Sequence, residues 1–164
     1  MITGKVWTEE ENRISGIFGE SATAFFLSKR GVNVLLVDTV FFDVIAREKS
    51  AKIFNTTKKV GISVKFRDRR YTTSSCTVAI KDFPKIKEMS EKWDVIPWFC
   101  YLIAFKNKQE EVLEGFLFSA EDAIKYMATE KQKYAISFAK LRQARKDNQI
   151  SKECYFRWQL EKAE

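Results

Sequence analysis

The sequence predicts an α/β fold in which helices flank a mixed central sheet. Thr8 and Glu11 match a capping box, so we expect a helix from there to about Arg30, with Gly31 at its end. A second predicted helix covers residues 82–93. Apolar runs and alternating residues predict strands at 32–37, 41–46, 60–67, 95–105 and 112–118. This order of elements is typical of an α/β sandwich built around one sheet.

The first predicted helix carries an apolar stripe that we expect to face the core. Its members recur at helical spacing. They are Ile14, Ile17, Phe18, Ser21, Ala22 and Phe25. Glu20 lies off this stripe but has Ile17 and Ala24 as helical neighbours, which predicts a carboxylate at the edge of the core.

The C-terminal third of the chain is harder to assign. Ser119 opens a predicted helix that continues through Met127. Residues 134–138 alternate like a strand, whereas Phe138, Leu141 and Arg145 fit a basic helix, and both interpretations remain open. Residues 151–161 predict a final helix.

Length and composition indicate one domain that spans residues 1–164. The chain has 164 residues, of which 45% are hydrophobic, so it can bury a sizeable core. No apolar run is long enough to cross a bilayer, and the first residues lack the apolar region of a signal peptide. We therefore expect a cytoplasmic protein without membrane contact. Its three cysteines are widely spaced and odd in number, which favours reduced, packed thiols.

The chain contains no histidine, and this excludes several kinds of active site. A Ser-His-Asp triad, a Cys-His pair and a zinc site with histidine ligands all require imidazole. The sequence also lacks the glycine-rich phosphate loops of nucleotide-dependent motors and dehydrogenases. Any hydrolase of this composition must use carboxylates, lysine and a metal ion.

Positive charge is concentrated in one part of the chain. The whole sequence carries a net charge of +7, yet residues 44–81 contain ten Lys or Arg and only two acids. Such a segment favours a polyanionic partner, here DNA, although a lysine-rich solvated surface is the plainer interpretation. The candidate phosphate-binding residues are Arg47, Lys58, Lys59, Arg67, Arg69 and Arg70.

Two acids and a lysine near this basic segment suggest an active site. Asp43 interrupts an apolar predicted strand, where a charge is costly unless it is paired or bound to a metal. Strand alternation places Ser63 and Lys65 on the same face of the predicted strand 60–67. Together with Glu20, these residues supply oxygen ligands for a divalent cation and a cation for a phosphate. Taken singly, each charged residue is also compatible with ordinary solvent exposure.

The order and spacing of these motifs resemble the PD-(D/E)XK nuclease superfamily, and within it the archaeal Holliday junction resolvases. The resemblance covers roughly residues 16–70. It rests on GIFGE (16–20), RGVNV (30–34), FFDVIA (41–46) and GISVKF (61–66). The family has a helical glutamate, a strand aspartate and a (D/E/Q)-X-K strand in this order.

The resemblance implies a restriction-endonuclease-like fold and a Mg²⁺-dependent (or Mn²⁺-dependent) DNA endonuclease that acts as a homodimer. It implies catalytic roles for Glu20, Asp43, Ser63 and Lys65. It also implies that Glu20, Asp43 and the backbone carbonyl of Val64 hold the metal ion. The substrate among junctions, duplexes, flaps, single strands and RNA is left open.

The chain departs from the family at Ser63, where the family carries an acid or glutamine two residues before the lysine. This departure keeps a second hypothesis open, namely a nuclease-fold protein that binds or assembles on DNA without cutting it. A third hypothesis is a basic adaptor that binds protein or an acidic ligand and has no nucleic-acid role.

Overall fold

The structure is a computed structural model that describes residues 8–70, 76–107, 110–130 and 133–160. Its helices are α1 (Glu9–Lys29), α2 (Asp82–Trp93) and α3 (Phe138–Lys146). Its strands are β1 (Asn33–Leu36), β2 (Val44–Arg47), β3 (Lys59–Asp68), β4 (Thr77–Ala79), β5 (Ile96–Asn107), β6 (Glu110–Ser119), β7 (Met127–Glu130), β8 (Lys133–Ile136) and β9 (Tyr155–Leu160). None of the helices in these ranges is long and apolar enough to span a membrane.

Six strands form the central sheet in the order β1-β2-β3-β5-β6-β9, and the three strands β4-β8-β7 form a smaller sheet. Strands β3 and β5 pair in parallel, whereas the other pairs are antiparallel. The predicted mixed sheet is therefore confirmed. Residues 99–104 of β5 are almost fully buried, as expected for a strand that is covered on both faces.

The capping box at the start of α1 is present as predicted. The Glu11 N–H donates to Thr8 Oγ1 at 3.2 Å, and the Thr8 N–H donates to the Glu11 carboxylate at 2.9 Å. At the other end, Gly31 has a φ of +78°, a left-handed conformation that glycine adopts without strain. These local signals fix both ends of α1.

The predicted buried face of α1 is largely wrong. Ile14, Ile17, Phe18 and Phe25 are 56%, 51%, 43% and 55% exposed. The buried residues of the helix are instead Gly19, Ala22, Thr23, Phe26 and Leu27. Small residues at the contact let α1 lie close to β3: a Cβ atom added at Gly19 would lie 2.8 Å from the Cβ atom of Phe66. Helical spacing alone did not reveal this preference for small side chains.

Two predicted helices near the C-terminus are also wrong. Residues 151–161 form a short 3-10 turn, Lys152–Cys154, followed by β9, which pairs with β6. Phe156 is buried while Arg157 is exposed, so this segment has the two-residue period of a strand. The segment that begins at Ser119 contains only the 3-10 turn Ala123–Tyr126, which leads into β7. The segment near 134–145, for which the sequence allows a strand or a helix, contains both: the strand β8 and then the helix α3.

Cys76, Cys100 and Cys154 are free and buried, as the sequence predicts. Burial raises the pKa of the Cys76 thiol to about 11 and that of Cys100 to about 12. Thiols with such pKa values are protonated at neutral pH and are poor nucleophiles.

Candidate active site

Asp43 lies one residue before β2, at the point where β2 and β3 separate. The predicted strand included it, whereas the observed strand begins at Val44, which pairs with Ile62. The Asp43 N–H donates to the Ile62 carbonyl at 2.9 Å, and the Asp43 carbonyl accepts from the Val37 N–H at 3.0 Å. The backbone of Asp43 is therefore fixed on both sides.

The side chain of Asp43 accepts a backbone hydrogen bond from β3 just beyond the point where the pairing of β2 with β3 stops. The Val64 N–H donates to Asp43 Oδ2 at 2.6 Å. The N–H and C=O groups of a strand residue point to the same side, so the Val64 carbonyl also lies on this edge of β3, away from β5. One edge of β3 thus presents a carboxylate and a backbone carbonyl together.

Glu20 reaches this edge from α1. Its neighbour Gly19 contacts Val64 and Phe66 of β3, which holds this turn of α1 against the strand. Burial raises the pKa of Glu20, and the negative charges of Asp43 and then Asp38 raise it further, while Lys65 lowers it. The charges of Asp43, Asp38 and Lys65 therefore all act on the Glu20 carboxylate.

Burial and nearby charges also shift the pKa of Asp43. Burial raises its pKa most, whereas the hydrogen bond from Val64 and the charge of Lys65 lower it. Two half-buried carboxylates in mutual repulsion are the arrangement that a bound cation relieves. The single nearby lysine offsets this repulsion only in part.

Asp38, which belongs to none of the sequence motifs, is an additional acid at this site. It is exposed in the β1–β2 connection, and its charge raises the pKa of both Glu20 and Asp43. An acid five residues before Asp43 was visible in the sequence, but nothing local indicated that the loop returns to α1. Across the described ranges, no three acidic, histidine or cysteine side chains are grouped closely enough to hold a metal ion.

The residues present fit a magnesium ion. Mg²⁺ binds oxygen ligands, retains several waters and commonly uses only one or two carboxylates. Asp43 and Glu20 supply two carboxylates, of which Asp43 has one oxygen committed to Val64. The Val64 carbonyl on the same edge is a third oxygen of the kind that Mg²⁺ accepts. A two-carboxylate set therefore meets the requirement without a third acid.

Ser63 is 6% exposed and pairs with Phe99 of β5, while Lys65 is half-buried and pairs with Tyr101. Alternation along β3 places both side chains on one face, as predicted. Near Lys65, the Tyr101 hydroxyl and Arg67 Nε are buried and have no hydrogen-bond partner among the described residues. Tyr101 was missed at the sequence level because it reads as part of an apolar strand.

The predicted phosphate-binding residues fall into two groups at opposite ends of β3. Arg47, Lys58 and Lys59 are exposed at its start, whereas Arg67 and Arg69 lie near its end. These groups lie on either side of Lys65 along the strand. Arg70 is engaged differently: its guanidinium pairs with Asp68 at 2.6 Å and also with Glu111, and these bonds raise its pKa.

Comparison with known proteins identifies the fold. No family model and no curated protein matches the sequence. Among solved structures, the chain is similar to Hjc of Archaeoglobus fulgidus, a Holliday junction resolvase from an archaeal hyperthermophile. The TM-score is 0.50 at 12% sequence identity, and the similarity covers 75% of this chain and 91% of that one. The chain therefore has a resolvase-like, restriction-endonuclease-like fold, and at this identity the similarity concerns the fold alone.

Proposed function

We propose that this chain is a metal-dependent DNA endonuclease that acts on branched substrates, as a single-domain cytoplasmic protein. One observation carries the proposal: the Asp43 carboxylate is held by the Val64 N–H at 2.6 Å, with the charges of Glu20 and Lys65 nearby. The resolvase-like fold supports the same conclusion. The basic segment beside the site supports DNA as the substrate.

In the proposed mechanism, Asp43, Glu20 and the Val64 carbonyl hold Mg²⁺ or Mn²⁺. Such an ion, when bound, polarises a scissile phosphate and lowers the pKa of a coordinated water. The Val64 N–H keeps the Asp43 carboxylate oriented. Lys65 donates hydrogen bonds to a phosphate oxygen and stabilises the negative charge that develops there. Ser63 contributes a hydroxyl, which orients water more weakly than a carboxylate does.

The two basic groups position the DNA backbone in this proposal. Lys59 and Arg67 are eight residues apart on β3, which corresponds to about 26 Å at about 3.3 Å per residue. A duplex of that length presents several phosphates on each strand. We leave Arg70 out of the binding set because Asp68 and Glu111 already occupy its guanidinium.

We extend the proposal to a homodimer, because a four-way junction is resolved by cuts in two strands. The exposed apolar stripe of Ile14, Ile17, Phe18 and Phe25 on α1 supports a second copy as its occupant. The stripe lies on the same helix as Glu20, so such a dimer would relate the two candidate sites through α1. The mass in solution by light scattering tests this point.

A specific observation favours the second candidate, a DNA-binding protein of the same fold that does not cut. Ser63 replaces the family's acid, and no third acidic side chain within the described ranges completes a metal-binding group. The presence of Glu20, Asp43 and Lys65 together favours the enzyme.

The test of function is a panel of end-labelled substrates: four-way junction, duplex, flap, single strand and RNA. Each is incubated with Mg²⁺, Mn²⁺ or EDTA. We expect cleavage of the junction with a divalent ion and none in EDTA. Junction binding without cleavage in either metal would support the non-cutting protein, and the absence of both would reject the nucleic-acid role.

DNA affinity should depend steeply on salt if the basic groups contact phosphates. Neutralising several phosphates should lower the affinity by orders of magnitude between about 50 and 200 mM salt. The measurement is fluorescence anisotropy of a labelled junction in EDTA at increasing NaCl. Charge reversal of Arg67 and Arg69 should weaken binding and flatten this dependence. The matched control is charge reversal of the exposed Lys85 and Lys87 on α2. An equal loss of DNA affinity in this control would contradict the assignment of Arg67 and Arg69 to phosphate contacts.

Ser63→Glu should tighten metal binding. Ser63 directly precedes Val64, whose N–H holds the Asp43 carboxylate, so a glutamate there adds a carboxylate beside Asp43 on the face of β3 that carries Lys65. The measurement is calorimetric titration with Mn²⁺. Because Ser63 is buried, circular dichroism checks that the variant retains the fold. Unchanged affinity in a folded variant would contradict the alignment of this strand with the (D/E/Q)-X-K motif.

A further inference from the structure

A cavity of about 570 Å³ lies between α3 and the strands β6 and β9. Its lining includes Glu114, Arg142, Arg145, Lys146, Tyr155 and Arg157. In the central sheet, β5 separates β6 from β3, so this cavity and the Asp43 site occupy opposite halves of the sheet. The volume lies within the usual range of small-molecule sites, roughly 300–1,000 Å³.

The acid in this cavity is already neutralised. Glu114 is 1% exposed and accepts hydrogen bonds from Arg142 Nε at 3.1 Å and Nη2 at 3.0 Å. The Tyr155 hydroxyl donates to Glu114 at 3.2 Å, and Arg157 Nε lies 3.8 Å from it. One buried carboxylate thus serves two arginines and a tyrosine, so its single negative charge does not balance the other cations of the cavity.

Two further cations, Arg145 and Lys146, line the same cavity. Within the described ranges neither makes an ion pair, and Arg145 Nε is buried without a hydrogen-bond partner. The Arg145 guanidinium lies over the Tyr155 ring at 5.5 Å, which fixes its position. The adjacent Asp147 makes no ion pair with either cation within the described ranges, and its carboxylate accepts from Gln143 Nε2 at 2.9 Å.

A buried guanidinium nitrogen without an acceptor is costly, and an anionic ligand would remove that cost. Guanidinium groups match the oxygens of phosphate, and ammonium groups add charge to the same contact. Because inorganic phosphate fills only part of this cavity, the space indicates a larger molecule that carries a phosphate.

We propose that this cavity binds a phosphorylated small molecule of about nucleotide size, with its phosphate against Arg145 and Lys146. This site does not depend on the nuclease proposal, because it shares no residue with the Asp43 site. It gives the protein a means to sense a phosphorylated metabolite at a place other than the Asp43 site.

The test measures binding to the full-length protein by calorimetry and by thermal shift, at constant ionic strength set with NaCl. The probes are inorganic phosphate, adenosine 5′-monophosphate and adenosine. We expect the two phosphate-containing probes to bind, the nucleotide more tightly, and adenosine not to bind. Arg145→Gln should weaken nucleotide binding by about tenfold or more, as expected for the loss of a charge-assisted hydrogen bond.

Lys146→Gln provides a second variant at an exposed position, and it should weaken binding even if Arg145→Gln does not fold. The matched control is Lys85→Gln on α2, which should bind as the wild type does. Asp43→Asn should also leave nucleotide binding unchanged. No binding of either phosphate probe would overturn the proposal, and so would full binding by both cavity variants. Short duplex DNA serves as a further probe. If the duplex binds and the free nucleotide has no effect, the proposal is also overturned.

Discussion

We expect Asp43→Asn to abolish metal-dependent cleavage while the protein still binds DNA, and this is the largest effect on activity that we predict. The amide has the shape of the carboxylate, and its oxygen can still accept from the Val64 N–H, so the local backbone is retained. What is lost is the negative charge that we propose as a metal ligand. We expect the cleavage rate to fall about a thousandfold or more, which corresponds to several kcal/mol of transition-state stabilisation.

The measurement is single-turnover cleavage of a labelled junction in Mg²⁺, together with anisotropy binding in EDTA. Affinity should be unchanged or slightly higher, because a negative charge near the DNA backbone is removed. Asp38→Asn is the matched control, since Asp38 is an exposed acid of the same site that we do not assign to the metal. It should lower the rate only modestly. If both variants cleave equally well, Asp43 is not the metal ligand.

The local parts of this site were predictable from the sequence. The capping box at Thr8 fixed the start of α1, and strand alternation placed Ser63 and Lys65 on one face of β3. Asp43 was conspicuous as a charge inside an apolar run. These signals, a helix cap and a two-residue alternation, depend only on residues that are close in sequence.

The remaining features depend on contacts between distant segments. The face that α1 buries is decided by its close approach to Phe66 at Gly19, which periodicity does not contain. Asp38 joins the site only because the β1–β2 connection returns toward α1. These two placements follow from the assembled sheet, and no local pattern specifies them. The strand β9 differs from them, because Phe156, Trp158 and Leu160 alternate with polar residues and the predicted helix overlooked this strand period.

The position of α1, and therefore of Glu20, also depends on Gly115, which lies in the half of the sheet formed by β6 and β9. This glycine of β6 pairs with Phe156 of β9, whose ring lies directly over it. Phe156 in turn stacks on Phe26 of α1, with ring centroids 4.0 Å apart, and contacts Trp158 at 4.8 Å. The absence of a side chain at Gly115 thus creates the space in which α1 is attached to the sheet.

Gly115→Ala should be the most destabilising of these substitutions, because the added Cβ atom would lie 2.0 Å from Phe156 Cζ. The Phe156 ring is enclosed by Phe26 and Trp158, so it cannot move without loss of both contacts. We expect a loss of about 3 kcal/mol, from overpacking and disrupted ring stacking, and a melting temperature lower by about 10 °C. Gly16→Ala is the matched control: its Cβ atom would contact only Glu20 Oε1 at 3.9 Å, so it should stabilise α1 by roughly 0.5–1 kcal/mol. Thermal unfolding followed by circular dichroism measures both changes. Equal stability of the two variants would mean that Phe156 does not lie over Gly115, and that α1 is attached to the sheet in another way.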